Sequence, residues 1–250
     1  MEFERYADIK RLNFIEQTLK ARLPEGAEVL DVGCGNGVIS RKLGELGFTV
    51  RGIDVSDKAI EKARQLNKWP KVNFEVKSAE QLAADGQRYH AVICSEVLEH
   101  LNEPSRLLNV IHQILTDDGV LIATVPNGNG PRELFVTRPY ISLQKKNNWM
   151  WRFVQRMKSL FGYRGTTVQS DADDLTHIQF FTQNSLNKLA ASTHFNIEYW
   201  GKTNFVEDVF PYSFFTKKIK GLQKLDCAVA EWLPYSFTGG FVMIWKKCNK

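Results

Sequence analysis

The stretch that most constrains this chain runs from Val29 to Asp54. Val29-Leu30-Asp31-Val32 is a short apolar run with one acid, and it reads as a buried strand. Gly33-Cys34-Gly35-Asn36-Gly37 follows, a turn with glycine at every second position. Val38, Ile39, Leu43 and Leu46 then recur at helical spacing, and Gly47 ends that helix. Phe48 to Ile53 reads as a second strand, with Asp54 at its carboxyl end. Strand, glycine turn, helix, strand and acid in this order make half of a doubly wound α/β sheet, a unit that binds an adenosine-type nucleoside beyond its strand ends. Glycine admits a ligand where a Cβ would collide. The helix start behind it offers unpaired N–H groups to a carboxylate or phosphate. Asp54 is placed to accept hydrogen bonds from two ribose hydroxyls.

The glycine spacing narrows the choice of nucleoside. The dinucleotide pattern G-x-G-x-x-G, counted from Gly33, needs glycine at position 38, where Val38 stands. The pattern present is Asp31-x-Gly33-x-Gly35-x-Gly37. Leu30 to Gly37 resembles the first motif of the class I S-adenosylmethionine-dependent methyltransferases. A nicotinamide- or flavin-binding sheet with an irregular loop is the alternative, and position 38 tells against it. The resemblance implies a Rossmann-like, mostly parallel seven-stranded sheet, a single methyltransferase domain over 1–250, and S-adenosyl-L-methionine as cofactor, leaving as S-adenosyl-L-homocysteine. It places Gly33, Gly35 and Gly37 at the methionine end and Asp54 at the ribose, with Asp31, Cys34 and Val55 beside them.

A second stretch carries the same resemblance. Tyr89 to Cys94 reads as a strand running into Ser95-Glu96-Val97-Leu98-Glu99-His100-Leu101, which is similar to the fourth motif of that family. Ligands of doubly wound sheets lie outside the strand ends where the order reverses, so Cys94 to Glu96 are expected to line the cofactor, with Ser95 and Glu96 at the sulfonium. Between the motifs, Ser56 reads as the N-cap of a helix to about Leu66, and Val72–Val76 as a third strand. Many family members carry an aspartate where Ser78 stands, against the adenine amino group. Ala79 can still offer backbone groups to that edge, and Glu80 is a further candidate.

Residues 8–22 read as a helix with Ile9, Leu12, Ile15 and Leu19 on one stripe and Arg11 off it. This segment resembles the ubiquinone-biosynthesis-type O-methyltransferases, in which an arginine at this place contacts the cofactor. Arg11 would then form a charge-assisted pair with the methionine carboxylate; a solvated surface arginine is the alternative. Glu96, Glu99 and His100 would share one face if 96–100 were helical. Carboxylates with imidazole suit a divalent cation, and the resemblance assigns the matching residues to Mg2+. A structural Leu-Glu-His turn is the alternative. His177-Ile178-Gln179-Phe180-Phe181-Thr182 resembles the His-x-x-Phe-Phe-Thr/Ser segment of many small-molecule methyltransferases. His177 is the first candidate general base and His100 the second, since imidazole can take a hydroxyl proton near neutral pH. A histidine that only holds its loop is the alternative.

Pro104 to Leu115 reads as a helix, and Val120 to Val125 as a strand buried on both faces. Residues 132–175 then depart from the family core. They hold eight basic residues from Arg132 to Arg164, and Trp149, Met150, Phe153, Val154, Met157, Leu160 and Phe161 at helical spacing. A helical lid over the acceptor pocket is one reading. The other is an interfacial helix, with 145–164 against anionic membrane and a lipid-linked acceptor entering laterally. A short basic segment and a net charge of only +5 disfavour nucleic acid. Beyond the insert, Thr182 caps a helix over 184–191, Phe195–Trp200 forms a strand, 222–233 a helix, and Gly239–Trp245 a closing strand of the antiparallel edge type.

Four cysteines without pair spacing point to a reducing compartment and to neither a zinc site nor a disulfide framework. The N-terminus does not read as a signal peptide, and no run is long enough to span a bilayer, so a cytoplasmic setting is expected. The expected activity is methyl transfer to a small or lipid-linked acceptor, most simply at an oxygen. A catalytically silent methyltransferase-like partner protein is the reading from another class.

Overall fold

The structure, a computed structural model, describes residues 5–84, 86–137, 178–206, 209, 212, 216 and 219–248. In chain order the elements are α1 (Tyr6–Arg22), β1 (Glu28–Val32), α2 (Val38–Glu45), β2 (Thr49–Asp54), α3 (Asp57–Leu66), β3 (Val72–Val76), α4 (Ala79–Ala83), β4 (Tyr89–Ser95), α5 (Pro104–Ile114), β5 (Leu115–Pro126), α6 (Gln183–Ser192), β6 (Phe195–Lys202), α7 (Lys220–Trp232) and β7 (Gly240–Lys247). The strands form one seven-stranded sheet in the order β3-β2-β1-β4-β5-β7-β6. The first five are parallel to their neighbours, and β7 runs antiparallel to both β5 and β6. This is the doubly wound, mostly parallel sheet the sequence implies.

One expectation about the sheet is corrected. The closing strand is antiparallel, but it is inserted between β5 and β6 and does not form the edge. The burial pattern gives the reason. Phe241 to Trp245 are all buried, as a strand covered on both faces requires, whereas β6 alternates with exposed Asn196, Glu198 and Tyr199 and can tolerate the edge.

Alternation along the strands builds two cores, one on each face. Val29, Ala91 and Ile93 turn toward Ile15 and Leu19 of α1, Leu43 of α2 and Ile60 of α3. Leu30, Val92 and Cys94 turn the other way, toward Leu82 of α4 and Leu107, Leu108 and Ile111 of α5. Helix starts are fixed by local chemistry. Ser56 Oγ accepts the Ala59 amide, Ser78 and Gln81 form a reciprocal capping box, and Thr182 and Ser185 form another.

The order reverses at β1, with β2 on one side and β4 on the other, so a crevice opens at the carboxyl ends of β1 and β4. Most of the proposed lid or membrane segment, including 145–164, and His177 lie outside the described residues. No helix among the described residues is long and apolar enough to cross a membrane.

Phe74 of β3 is buried and stands where a Cβ on either Gly37 or Gly52 would strike its ring. It therefore supports the glycine turn from beneath. Phe74→Ala is expected to cost about 3–5 kcal/mol of stability, measured by urea unfolding.

Candidate functional site

Gly33, Gly35 and Gly37 all adopt positive φ, at 67°, 52° and 76°, a region that strains any residue with a Cβ. A Cβ on Gly33 would also collide with Val97, so packing and backbone geometry both demand glycine there. The turn is tied down by its amides: Cys34 N donates to Ile53 O at 3.0 Å, and Gly37 N to Cys34 O at 2.9 Å. The decisive tie is to Asp54. Its Oδ2 accepts the Gly35 amide at 2.9 Å and its Oδ1 the Ser56 amide at 2.9 Å. A carboxylate has about four acceptor positions, so Asp54 keeps capacity for further donors while it holds the turn.

Asp31 lies beneath the turn, fully buried, and takes the Ser40 hydroxyl at 2.6 Å. Burial pushes its pKa up from 3.8 to about 7; the Ser40 hydrogen bond opposes this and the charge of Asp54 adds to it. Burial also raises the thiols of Cys34 and Cys94; Cys34 lines the cleft as a neutral group and not as a nucleophile, whereas Cys94, expected to line it with Ser95 and Glu96, points into the hydrophobic core instead.

At the end of β4 the chain turns through Glu96, which has φ of 57°. Such a conformation in a residue with a Cβ costs on the order of 1–3 kcal/mol and persists only where neighbours impose it. The neighbours are present. Glu96 N donates to Thr124 O at 3.0 Å, the Thr124 hydroxyl donates to Glu96 Oε1 at 3.0 Å, and Ser95 Oγ stands 2.9 Å from Thr124 Oγ1. Arg11, reaching in from α1, pairs with Glu96 at 3.4 Å and with Asp8 at 3.5 Å. Arg11 is therefore buried against the site and is not a solvated surface arginine.

The residues expected to bind the nucleoside surround one cleft of about 930 Å³. Arg11, Asp31, Gly33, Cys34, Gly35, Asp54, Val55, Ser78, Ala79, Glu80, Ser95 and Glu96 all line it, as do Glu99 and His100. Gly37 lies behind the wall, at the N-cap of α2. Val55 is 77 % exposed and offers an apolar surface directly after Asp54. The Ser78 hydroxyl accepts the Gln81 amide as a helix cap, which ties it to the start of α4.

The metal expectation is corrected. The left-handed turn at Glu96 ends any helix before it starts, and only Leu98–His100 form a single 3-10 turn. Glu96, Glu99 and His100 therefore do not share a helical face, and among the described residues no group of three such side chains is placed to hold an ion. Glu99 is instead buried, its Oε1 3.8 Å from His100 Nε2 and its Oε2 without a hydrogen-bond partner. Burial, then the nearby Glu96 charge, holds its carboxyl well above the ordinary range. These residues do not fit a magnesium site. The Glu99 carbonyl accepts the amides of Ile178 and Gln179, fixing the chain that follows His177 against the cleft.

Thr124 was not anticipated. A lone hydroxyl in the apolar run Val120–Val125, in register with Ser95 across the β4–β5 pair, is the signal that would have found it.

A family model described as a methyltransferase domain matches residues 3–199. The chain belongs to that family. Among curated relatives, the ubiquinone biosynthesis O-methyltransferase of Coxiella burnetii (strain RSA 493 / Nine Mile phase I) is 34% identical over 125 residues, covering 48% of this chain and 50% of that protein. The protein of the same name from Nitrosospira multiformis is 38% identical over 128 residues, covering 50% of this chain and 52% of its own length. The chain thus matches about half the length of these relatives. The methyltransferase domain also superposes on magnesium protoporphyrin IX methyltransferase from Synechocystis PCC 6803 with bound S-adenosylhomocysteine. There the TM-score is 0.57 and the identity 19%, over 97% of this chain and 84% of that one. For the Burkholderia thailandensis 1,6-didemethyltoxoflavin-N1-methyltransferase the TM-score is 0.56 and the identity 18%, over 96% and 79%. At such identities these two structures speak to the fold.

The raised Asp31 carboxyl sets a pH dependence. Between its unfolded value near 3.8 and its folded value of about 7, the native state holds a proton that the unfolded chain has released, so its contribution to stability is lost as pH rises through that window. Asp31→Asn removes this term. Urea unfolding from about pH 5 to about pH 8 is expected to show the wild type losing stability relative to Asp31→Asn as pH rises.

Proposed function

We propose that this chain transfers the methyl group of S-adenosyl-L-methionine to an oxygen of a small or lipid-linked acceptor. The observation that carries the reading is the Asp54 carboxylate, anchored by two amides at the carboxyl end of β2 and facing the cleft beside the glycine turn. A carboxylate held this rigidly presents its remaining lone pairs in a fixed direction, which suits the paired hydroxyls of a ribose. The choice of oxygen is supported by the printed names of the curated relatives and by the cleft-lining His100.

The cleft has the size and lining a nucleoside cofactor needs. The cofactor supplies a methyl group already activated by the positive sulfur beside it. The chain's own residues have to align and exclude. The side-chain-free backbone of the glycine turn leaves room for the methionine end, Val55 lies along the adenine, and Ala79 offers its backbone to the adenine edge. Glu96, clamped by Arg11 and Thr124, keeps negative charge on the side of the cleft where a sulfonium would sit. Arg11, shared between Asp8 and Glu96 in the cleft wall, is the cation assigned to the methionine carboxylate. Proton removal from a hydroxyl acceptor falls to His177 or to His100.

Calorimetric titration with S-adenosylhomocysteine tests the ribose assignment. Asp54→Ala removes both the turn anchor and the acceptor, and affinity is expected to fall at least about tenfold, a difference of about 1.4 kcal/mol. Unchanged affinity in that variant would remove Asp54 from the site.

A further inference from the structure

Arg132, in the cleft wall after β5, is a half-buried cation without a counter-charge. The other arginines of the wall are accounted for. Arg5 is held by both oxygens of Asp8 at 3.0 Å, and Arg11 is shared between Asp8 and Glu96. Arg106 is exposed to water on α5, the helix that packs on α4 beside the adenine edge. For Arg132, no carboxylate among the described residues lies within ion-pair distance, the adjacent Glu133 included. A guanidinium carries five N–H donors, and withdrawing it from water is costly unless acceptors and an anion answer it.

The loop that carries Arg132 is fixed from both sides. Asn127 is buried, and its Nδ2 donates to Tyr235 O at 3.1 Å and to Thr238 O at 2.9 Å. Its Oδ1 accepts the Asn129 amide at 3.1 Å, and its carbonyl accepts the Gly130 amide at 2.7 Å. Gly128 N donates to Phe181 O at 2.6 Å, and a Cβ on Gly128 would strike the Phe180 backbone. Arg132 therefore leaves the rim from a point that is set before any ligand arrives. Its place in the sheet separates it from the nucleoside. The ribose and the methionine end are assigned to β2 and β1, and β5 lies two strands beyond β1, about 10 Å at about 4.8 Å per strand. β4, with Ser95 and Glu96 at its end, stands between them. In-line transfer puts the acceptor on the far side of the methyl group from the sulfur, and the end of β5 is the next strand end in that direction.

We propose that Arg132 binds an oxyanion on the methyl acceptor, so that the acceptor class is a hydroxyl compound bearing a carboxylate or a phosphate. The assignment rests on the methyl-transfer reading. A planar guanidinium matches either group with two parallel N–H···O bonds, which a lysine could not supply. The acids on this side of the cleft leave the position open to an anion: Glu96 is already paired with Arg11, and burial disfavours the charge of Glu99. An acceptor held by its oxyanion at Arg132 would have one end fixed while its hydroxyl meets the methyl group, and alignment is what the chain has to supply.

Saturation-transfer NMR at low ionic strength tests this, with the chain saturated by S-adenosylhomocysteine and with benzoate, phenyl phosphate and the neutral benzamide as probes. At least one of the two anions is expected to bind about tenfold tighter than benzamide, and the tighter of them names the oxyanion. Arg132→Gln is expected to abolish that preference and Arg132→Lys to keep part of it, while both variants keep the wild-type affinity for S-adenosylhomocysteine. Circular dichroism with thermal unfolding checks that each variant keeps its fold. Anions that bind no better than benzamide overturn the inference and leave the methyl-transfer reading standing, as does a preference that survives Arg132→Gln. A tenfold loss of S-adenosylhomocysteine affinity in Arg132→Gln also overturns it, by giving Arg132 to the carboxylate of the cofactor. A chain that binds no S-adenosylhomocysteine overturns the methyl-transfer reading itself, and this inference with it.

Discussion

Asp54 joins the two halves of the cleft. One of its carboxylate oxygens takes the amide of Gly35 and the other takes that of Ser56, so a single side chain holds the glycine turn of β1 against the loop after β2. Much else follows from this tie. The turn can close over the end of β1 only because three glycines accept positive φ, and those glycines in turn leave the space that Val97 and Phe74 fill. A residue that orders the site in the free chain is thus also the residue proposed to meet a ribose. The geometry is ready before a ligand arrives, which lowers the ordering cost of binding.

The Glu96 side of the cleft is built differently, from strain and buried charge. Glu96 is held in a left-handed conformation by Thr124 and Arg11. Beneath the site lie two carboxyl groups, Asp31 and Glu99, whose burial disfavours ionisation. Such an arrangement costs stability and is kept where function requires it. A cationic sulfonium near Glu96 would find negative charge already fixed in place, without reorganisation at the moment of reaction.

Much of this was legible in the sequence, because it follows from local rules. The strand, turn, helix and acid of residues 29–54 can be read from periodicity and glycine placement, and the caps at Ser56 and Thr182 from their side-chain chemistry. What could not be read depends on the third dimension. Glu96-x-x-Glu99-His100 looks helical by spacing, and one left-handed residue dissolves the face on which a metal site was imagined. The antiparallel sense of β7 was legible, but its place inside the sheet was decided by burial on both faces. Arg11 lies off the apolar stripe of α1, yet is buried because Glu96 and Asp8 receive its charge. In α7 the periodic apolar residues would read as core, but Gln223 and Asp226 take the inner positions by satisfying backbone groups that no apolar residue could.

The most direct measurement is a crystal structure of the chain grown with S-adenosylhomocysteine. The ribose hydroxyls should lie on Asp54, the amino-acid end along Gly33 to Gly37, and the sulfur beside Ser95 and Glu96. A nucleoside bound elsewhere, or a well-folded chain that takes up none at saturating concentration, would contradict the assignment of this cleft.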